Sequence, residues 1–347
     1  MTDRTLPQRT LGARQAAILS AIVREYIRSG EPIGSKHLVG RYRLDVSSAT
    51  VRNDMALLEE LGYLAQPHTS AGRIPTDLGY RWFVDASAAP RLAEGQQREL
   101  DDALAEPADL DVKLARASDI LSRFTRYASA VLTPHLQVSR LRHLDLAWLG
   151  EKMVVAVLIG DGGRVEKRMI ELESDVTEHE VEHVSHEINR TLGGLPLDEA
   201  QQQLQKMSKR ASARDRALHT AVSESIGEMI ETDRRVFVGG ASNLAAEESF
   251  GSERETLRRV YEAMDRHSEL LRLLDEAIRP VSVRIGSEGP VEDLHTISVV
   301  AAPYGVAGEG AGTLGVIGPT RMDYLRAMTI VAAVARTLEA SLRELGR

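Results

Sequence analysis

The sequence contains no cysteine. Disulfide bridges, thiolate zinc sites and a cysteine nucleophile are therefore excluded. Aromatic residues are scarce, at 4%, so the cores must be built from aliphatic side chains. Long apolar runs are missing as well. Nothing approaches the roughly 18 consecutive apolar residues of a spanning helix. The N-terminal stretch MTDRTLPQRT lacks the apolar centre of a secretion signal. The expectation is a cytoplasmic protein with no membrane partner.

What remains is an ordinary globular composition: 347 residues, 43% hydrophobic and 27% charged, enough for two or three domains. A net charge of −8 argues weakly against a nucleic-acid partner, but the charge is uneven. Residues 1–83 carry 11 Lys+Arg against 8 Asp+Glu, and the remainder carries 32 against 43. A basic head on an acidic body points to an anionic partner for the head.

The head is dense in helix punctuation. Ile18, Leu19, Ile22, Val23 and Tyr26 fall at helical spacing between Arg14 and Ser29, and Gly30 stops the run. Ser35 caps a short second helix. Ser47 caps a third, SATVRNDMALLEEL, with Val51, Met55, Leu58 and Leu61 on one stripe. The stretches YLAQ, PHTSAG and RIPT then read as a hairpin with a flexible tip. Together these predict a winged helix-turn-helix, in which one helix enters the major groove and a second braces it across the backbone.

The third helix carries suitable groups. Ser47, Ser48, Thr50, Arg52 and Asn53 lie in or just before its first two turns, largely off the inward stripe. Arginine pairs well with guanine and asparagine with adenine. Lys36 opens the second helix, where backbone contact is expected. The hairpin tip, with His68, Thr69, Ser70 and Arg73, suits a wing reaching phosphate or the minor groove. The same helices and caps would also serve a winged helix used for protein contacts, with Arg52 and Asn53 as a plain solvated face.

Three further stretches invite a chemical reading. His179-Glu180-Val181-Glu182-His183 fits the H-E-x-x-H pattern of zinc peptidases. However, Val181, Val184, Ile188 and Leu192 set the apolar side of that helix, and His179, His183 and His186 fall opposite, toward water. A catalytic zinc helix needs its histidines against a shaped cavity. The bland reading, a solvated polar face, is favoured. Gly308-Glu309-Gly310-Ala311-Gly312 lacks the lysine and the following helix of a phosphate loop, and Val238-Gly239-Gly240-Ala241 matches no dinucleotide fingerprint. Neither an enzymatic activity, a metal nor a cofactor is expected.

The remaining chain alternates helices and strands. Residues 86–111 are rich in Ala, Pro and acid and read as a linker with one helical stretch. A helix over about 112–131 follows, then strands at LRHLDLAWL, KMVVAVLIG and RVEKRMIEL, joined by an Asp161-Gly162-Gly163 turn. Beyond about residue 195 the pattern is mainly helical, with one strand at VFVGGAS and a helix over Glu253 to Ile278. PVSVRIG, HTISVVAAPYG and TLGVIGP restore strands before a last helix. The simplest parse is a head over 1–85 and an α+β domain over 112–194 and 280–347. Six antiparallel strands form its sheet, and a largely helical insert over 195–279 splits it.

The strings GEPIGSKHL, SSATVRNDMALLEELGYL, QPHTSAGRIPTDLGYRWFVD and the late PYG…GTLGVIGPTRMDY resemble the HrcA family of bacterial heat-shock repressors. That resemblance implies a winged helix, a GAF-like domain and an inserted dimerising domain. It implies a homodimer on an inverted-repeat operator in double-stranded DNA, shutting off chaperone and chaperonin operons, with its active form maintained by the GroEL chaperonin and lost on heat stress. It also implies that Ser47, Ser48, Thr50, Arg52 and Asn53 match the family's recognition helix and that the segment from His68 to Arg73 matches its wing. A dimer follows from physics too, because one recognition helix reads too few base pairs for a unique site. A ligand sensor built on the GAF-like domain is the alternative reading.

Overall fold

A computed structural model describes residues 11–42, 45–68, 71–134, 139–161, 164–231, 235–240, 242–243, 273–274, 281–289, 294–305 and 312–345. Thr69 and Ser70 lie outside these residues. So do Gly162, Gly163, the stretch 308–311 and nearly all of the helix expected over Glu253 to Ile278.

The fold mixes helix and sheet in three units. The head holds α1 (Ala13–Ser29), α2 (Ser35–Tyr42), α3 (Ser48–Glu60), the two-stranded pair β1 (Leu64–Ala65) and β2 (Ile74–Pro75), and α4 (Asp77–Ala86). Helix α1 ends on Gly30 at φ 71°, a left-handed cap that suits glycine. Its buried Ile18, Leu19, Ile22 and Val23 pack with Leu38, Val51 and Leu58 of α2 and α3. Burial of that stripe is what makes these short helices stable.

Residues 86–111 include a helical stretch, and it is packed on its neighbours. Helix α5 (Glu94–Ala105) buries Leu100 and Leu104 against α6 (Leu110–Thr125) and α10 (Tyr324–Leu345). Lys113 of α6, itself buried, donates to the Leu104 carbonyl at 2.8 Å and to the Ser341 hydroxyl at 2.5 Å, tying the three helices together. Helix α6 also stops earlier than expected. Arg126, at φ 65°, caps it, and the fully buried strand β3 (Ala128–Leu132) begins.

The expected single sheet of six strands is two sheets. The first has five antiparallel strands in the order β7 (Val236–Gly239), β3, β10 (Gly312–Pro319), β9 (Ile297–Tyr304) and β8 (Ser282–Ile285). The second has three: β4 (Leu141–Gly150), β5 (Met153–Gly160) and β6 (Val165–Glu171). Its one covered face packs on α7 (Glu178–Leu192), α8 (Leu197–Arg210) and α9 (Ala213–Glu231) in a core of its own. The strands of 141–171 thus leave the five-stranded sheet. The VFVG strand, expected within the insert, belongs to that sheet beside β3. The chain departs after β3 and returns at β7, so the excursion starts well before residue 195. Partner choice explains the difference. β3 pairs with strands more than a hundred residues away, which local pattern does not encode.

The head and the five-stranded unit share one apolar cluster. Tyr80 of α4 packs against Tyr324 of α10 in a tilted pair with ring centroids 5.6 Å apart. Arg81 donates to Glu288 at 2.8 Å and to the Val283 carbonyl at 2.5 Å. Asp77 accepts from the amide and hydroxyl of Ser287 at 3.0 and 2.8 Å. These contacts orient the head on the body.

Candidate nucleic-acid interface

Helix α3 is set by its cap. The Ser47 hydroxyl accepts from the Thr50 amide at 3.1 Å and lies 3.0 Å from the Thr50 hydroxyl. Val51, Asp54, Met55 and Leu58 face inward. Ser48 and Thr50 are half-buried, and Arg52 and Asn53 are exposed. Neither Arg52 nor Asn53 makes a side-chain hydrogen bond or ion pair with another described residue. The first two turns therefore present one guanidinium and one carboxamide, uncommitted among the described residues and flanked by the small, exposed Ala49.

Two ion-pair systems hold this surface in place. Glu25 of α1 is 1% exposed and is met by side chains from both of the first two helices. It meets Arg28, His37 Nε2 at 3.1 Å, Arg41 Nε at 3.0 Å and the Tyr42 hydroxyl at 3.4 Å. The Arg28 hydrogen bond is the main force holding its carboxyl down to about 2. Burial opposes this, while His37 and Arg41 assist. Arg14 and Asp54 pair at 2.7 Å and join α1 to α3. The sequence flagged neither acid. Their signal was an acidic residue on the apolar side of an amphipathic helix.

Lys36 and His68 are both exposed. Arg73 is placed differently from the wing-tip cation expected. It sits at the base of the hairpin, with its side chain largely covered, and pairs with Glu59 of α3 at 2.8 Å. Its amide and carbonyl exchange hydrogen bonds with Ile33, both at 2.9 Å. The backbone runs so close here that a Cβ on Gly72 would stand 2.4 Å from the Ile33 carbonyl. The hairpin is thus fastened to the loop before α2 and to α3. Ser47, Ser48, Thr50, Arg52 and Asn53 come together on one helix end, and Arg73 stands behind them as a brace.

The residues of the H-E-x-x-H pattern fall elsewhere. His179, His183 and His186 are exposed on α7, while Val181, Val184 and Ile188 face the core. Glu180, where a peptidase would keep its base, closes a capping box with Thr177 at 2.9 Å. Among the described residues no group of three or more His, Asp or Glu side chains is arranged to hold a metal.

Known proteins decide the family. The family described as HrcA protein C terminal domain matches residues 111–328. The chain is 41% identical over 340 residues to a protein of Acidothermus cellulolyticus named heat-inducible transcription repressor HrcA, covering 96% of this chain and 99% of that one. A protein of the same name from Thermobifida fusca is 41% identical over 331 residues, covering 94% and 95%. The chain belongs to the HrcA family. This is a family of heat-inducible transcription repressors, not of enzymes. A crystal structure described only as that of a hypothetical protein matches 97% of this chain and all of its own, with a TM-score of 0.61 and 25% identity. No described helix is long and apolar enough to cross a membrane.

Proposed function

We propose that this member of the HrcA family represses chaperone and chaperonin operons by binding an inverted-repeat operator in double-stranded DNA as a homodimer. The head acts as a winged helix-turn-helix. Helix α3 enters the major groove, Arg52 and Asn53 read base edges, and Ser47, Ser48, Thr50 and Lys36 contact or approach phosphate. His68, Thr69 and Ser70 form the wing tip, and Arg73 sets the pitch of that wing through Glu59. The observation that carries this reading is the pair of uncommitted side chains, Arg52 and Asn53, on a capped and braced helix end. The acidic body confines DNA contact to the heads.

The five-stranded unit serves as the GAF-like domain and the excursion between β3 and β7 as the dimerising unit. The uncovered face of its three-stranded sheet supports the second assignment. Val165 and Met169 are 56% and 65% exposed there, beside the half-buried Val155 and Val157. Asp145 and Lys167 flank Val157 across the register, so two copies related by a twofold axis could pair acid with base over an apolar centre. Met169→Glu should give monomers by analytical ultracentrifugation. Unchanged dimers would remove this face from the interface. Family membership supports the remaining step, in which the GroEL chaperonin maintains the active form and heat withdraws it.

The direct test is fluorescence anisotropy with an inverted-repeat duplex from a chaperonin promoter and a scrambled copy, with and without chaperonin. Binding to the repeat at dimer stoichiometry, ~10³-fold or more tighter than to the scramble, is expected. Equal, weak binding to both duplexes in every condition overturns the proposal.

A further inference from the structure

A sizeable cavity lies away from α3, where the head joins the body. It is a groove of about 820 Å³ between the connecting segment 89–92, the start of α5, Val281 and the outer side of α10. That volume is within the range of small-molecule sites. The connecting segment is fixed there, because the Thr329 hydroxyl bonds the Pro90 carbonyl at 2.8 Å.

The lining has a definite chemistry. Leu92, Val281, Met328 and Ala332 supply an apolar floor. Arg91, Arg98 and Arg336 stand on the rim, all exposed, against one carboxylate, Glu94. None of the three arginines forms a hydrogen bond or ion pair with another described residue. Elsewhere in the chain arginines are regularly committed, as Arg81 and Arg123 are. Three guanidinium groups around an apolar floor repel one another, and Glu94 is the one carboxylate among the described lining residues. Among the described lining residues there is no aromatic ring on which a base could stack, which disfavours a nucleotide.

We infer that this groove binds a free long-chain carboxylate. The apolar chain lies along Leu92, Val281, Met328 and Ala332, and the carboxylate is held by guanidinium groups of Arg91, Arg98 and Arg336. Planar guanidinium matches a carboxylate in a bidentate fork, and burying the chain supplies the driving force. The inference is independent of how α3 meets DNA. It adds a ligand site at the junction through which the head is attached.

The test uses the full-length chain and cis-parinarate, a polyene fatty acid whose emission rises in an apolar site, kept below its micellar concentration. Saturable binding of one probe per chain is expected, displaced by dodecanoate and not by dodecyltrimethylammonium. The double variant Arg98→Glu/Arg336→Glu should weaken binding at least tenfold, and Ala332→Trp, which fills the groove, should abolish it. Circular dichroism checks that each variant is folded, and the exposed double variant decides alone if Ala332→Trp is not. Non-saturable uptake, equal displacement by the cationic detergent, binding unchanged in the double variant, or association only with phospholipid vesicles would each overturn the inference.

Discussion

Two helices of this protein look alike on paper and differ in use. Both α3 and α7 start at a hydroxyl cap, Ser47 and Thr177, that accepts from the amide three residues on. Both bury an apolar stripe and turn a polar face outward. The polar face of α7 carries the more famous pattern, H-E-x-x-H, yet its histidines point at solvent and its central glutamate is absorbed in the cap. The face of α3 carries no named catalytic string. It does carry Arg52 and Asn53 on a helix that Asp54, Glu59 and their arginine partners lock to its neighbours. A motif therefore gains meaning from which face it occupies and from what fixes that face.

The comparison breaks most severely at the buried stripe. Leu58 is fully buried in the cluster that joins α1, α2 and α3. Leu58→Ala should cost ~2–5 kcal/mol of stability and abolish operator binding with it, as read by chemical denaturation and anisotropy. Wild-type stability would mean that α3 does not depend on this core.

Glu25 gives a pH test of the bracing. Its folded carboxyl titrates at about 2, against about 4.5 when free. A lowered carboxylate contributes stability that is present above about pH 4.5 and is lost as pH falls toward 2. Resistance of the wild-type protein to chemical denaturation should therefore fall as pH drops through that window, and Glu25→Gln should flatten the dependence there. The groups facing Glu25 are Arg28, His37, Arg41 and Tyr42. A slope unchanged in the variant would show that they do not rely on it.

The outward faces should separate the helices cleanly. Arg52→Ala should cost ~1–3 kcal/mol on the operator and relax discrimination at one base pair, with thermal stability unchanged. His183→Ala, on the outward face of α7, should alter neither stability nor operator affinity by more than ~0.5 kcal/mol. Equal loss on operator and scrambled DNA for Arg52→Ala would remove its base-reading role.

Much of this contrast was legible in the sequence. The spans of α1 to α4, the Ser47 cap and the outward histidines all follow from helical periodicity and cap chemistry, which are local. What was not legible depends on distant partners. ASAVL reads as the end of a helix until β10 and β7 pair with it. Arg73 reads as a free cation until Glu59 and the Ile33 backbone take it. Asn189 gave no signal at all. It nevertheless closes the outer edge of β4 by bonding both the amide and the carbonyl of Leu144, at 2.8 and 2.7 Å.

The caps make the finest comparison, because each is a hydroxyl that accepts from the amide three residues on. Ser47→Ala and Thr177→Ala each remove one hydroxyl acceptor from the first turn and should each cost ~1 kcal/mol of stability. Only the first should also weaken operator binding. Freed of its cap, the first turn of α3 frays, and the amides that favour phosphate lose their alignment. The first turn of α7 belongs to a separate core and carries none of the proposed DNA contacts, so fraying there should change stability alone. Measuring denaturation and anisotropy on both variants separates the outcomes. An operator effect of equal size from both would mean that the cap acts through global stability, and the proposed role of the α3 N-terminus on DNA would fall.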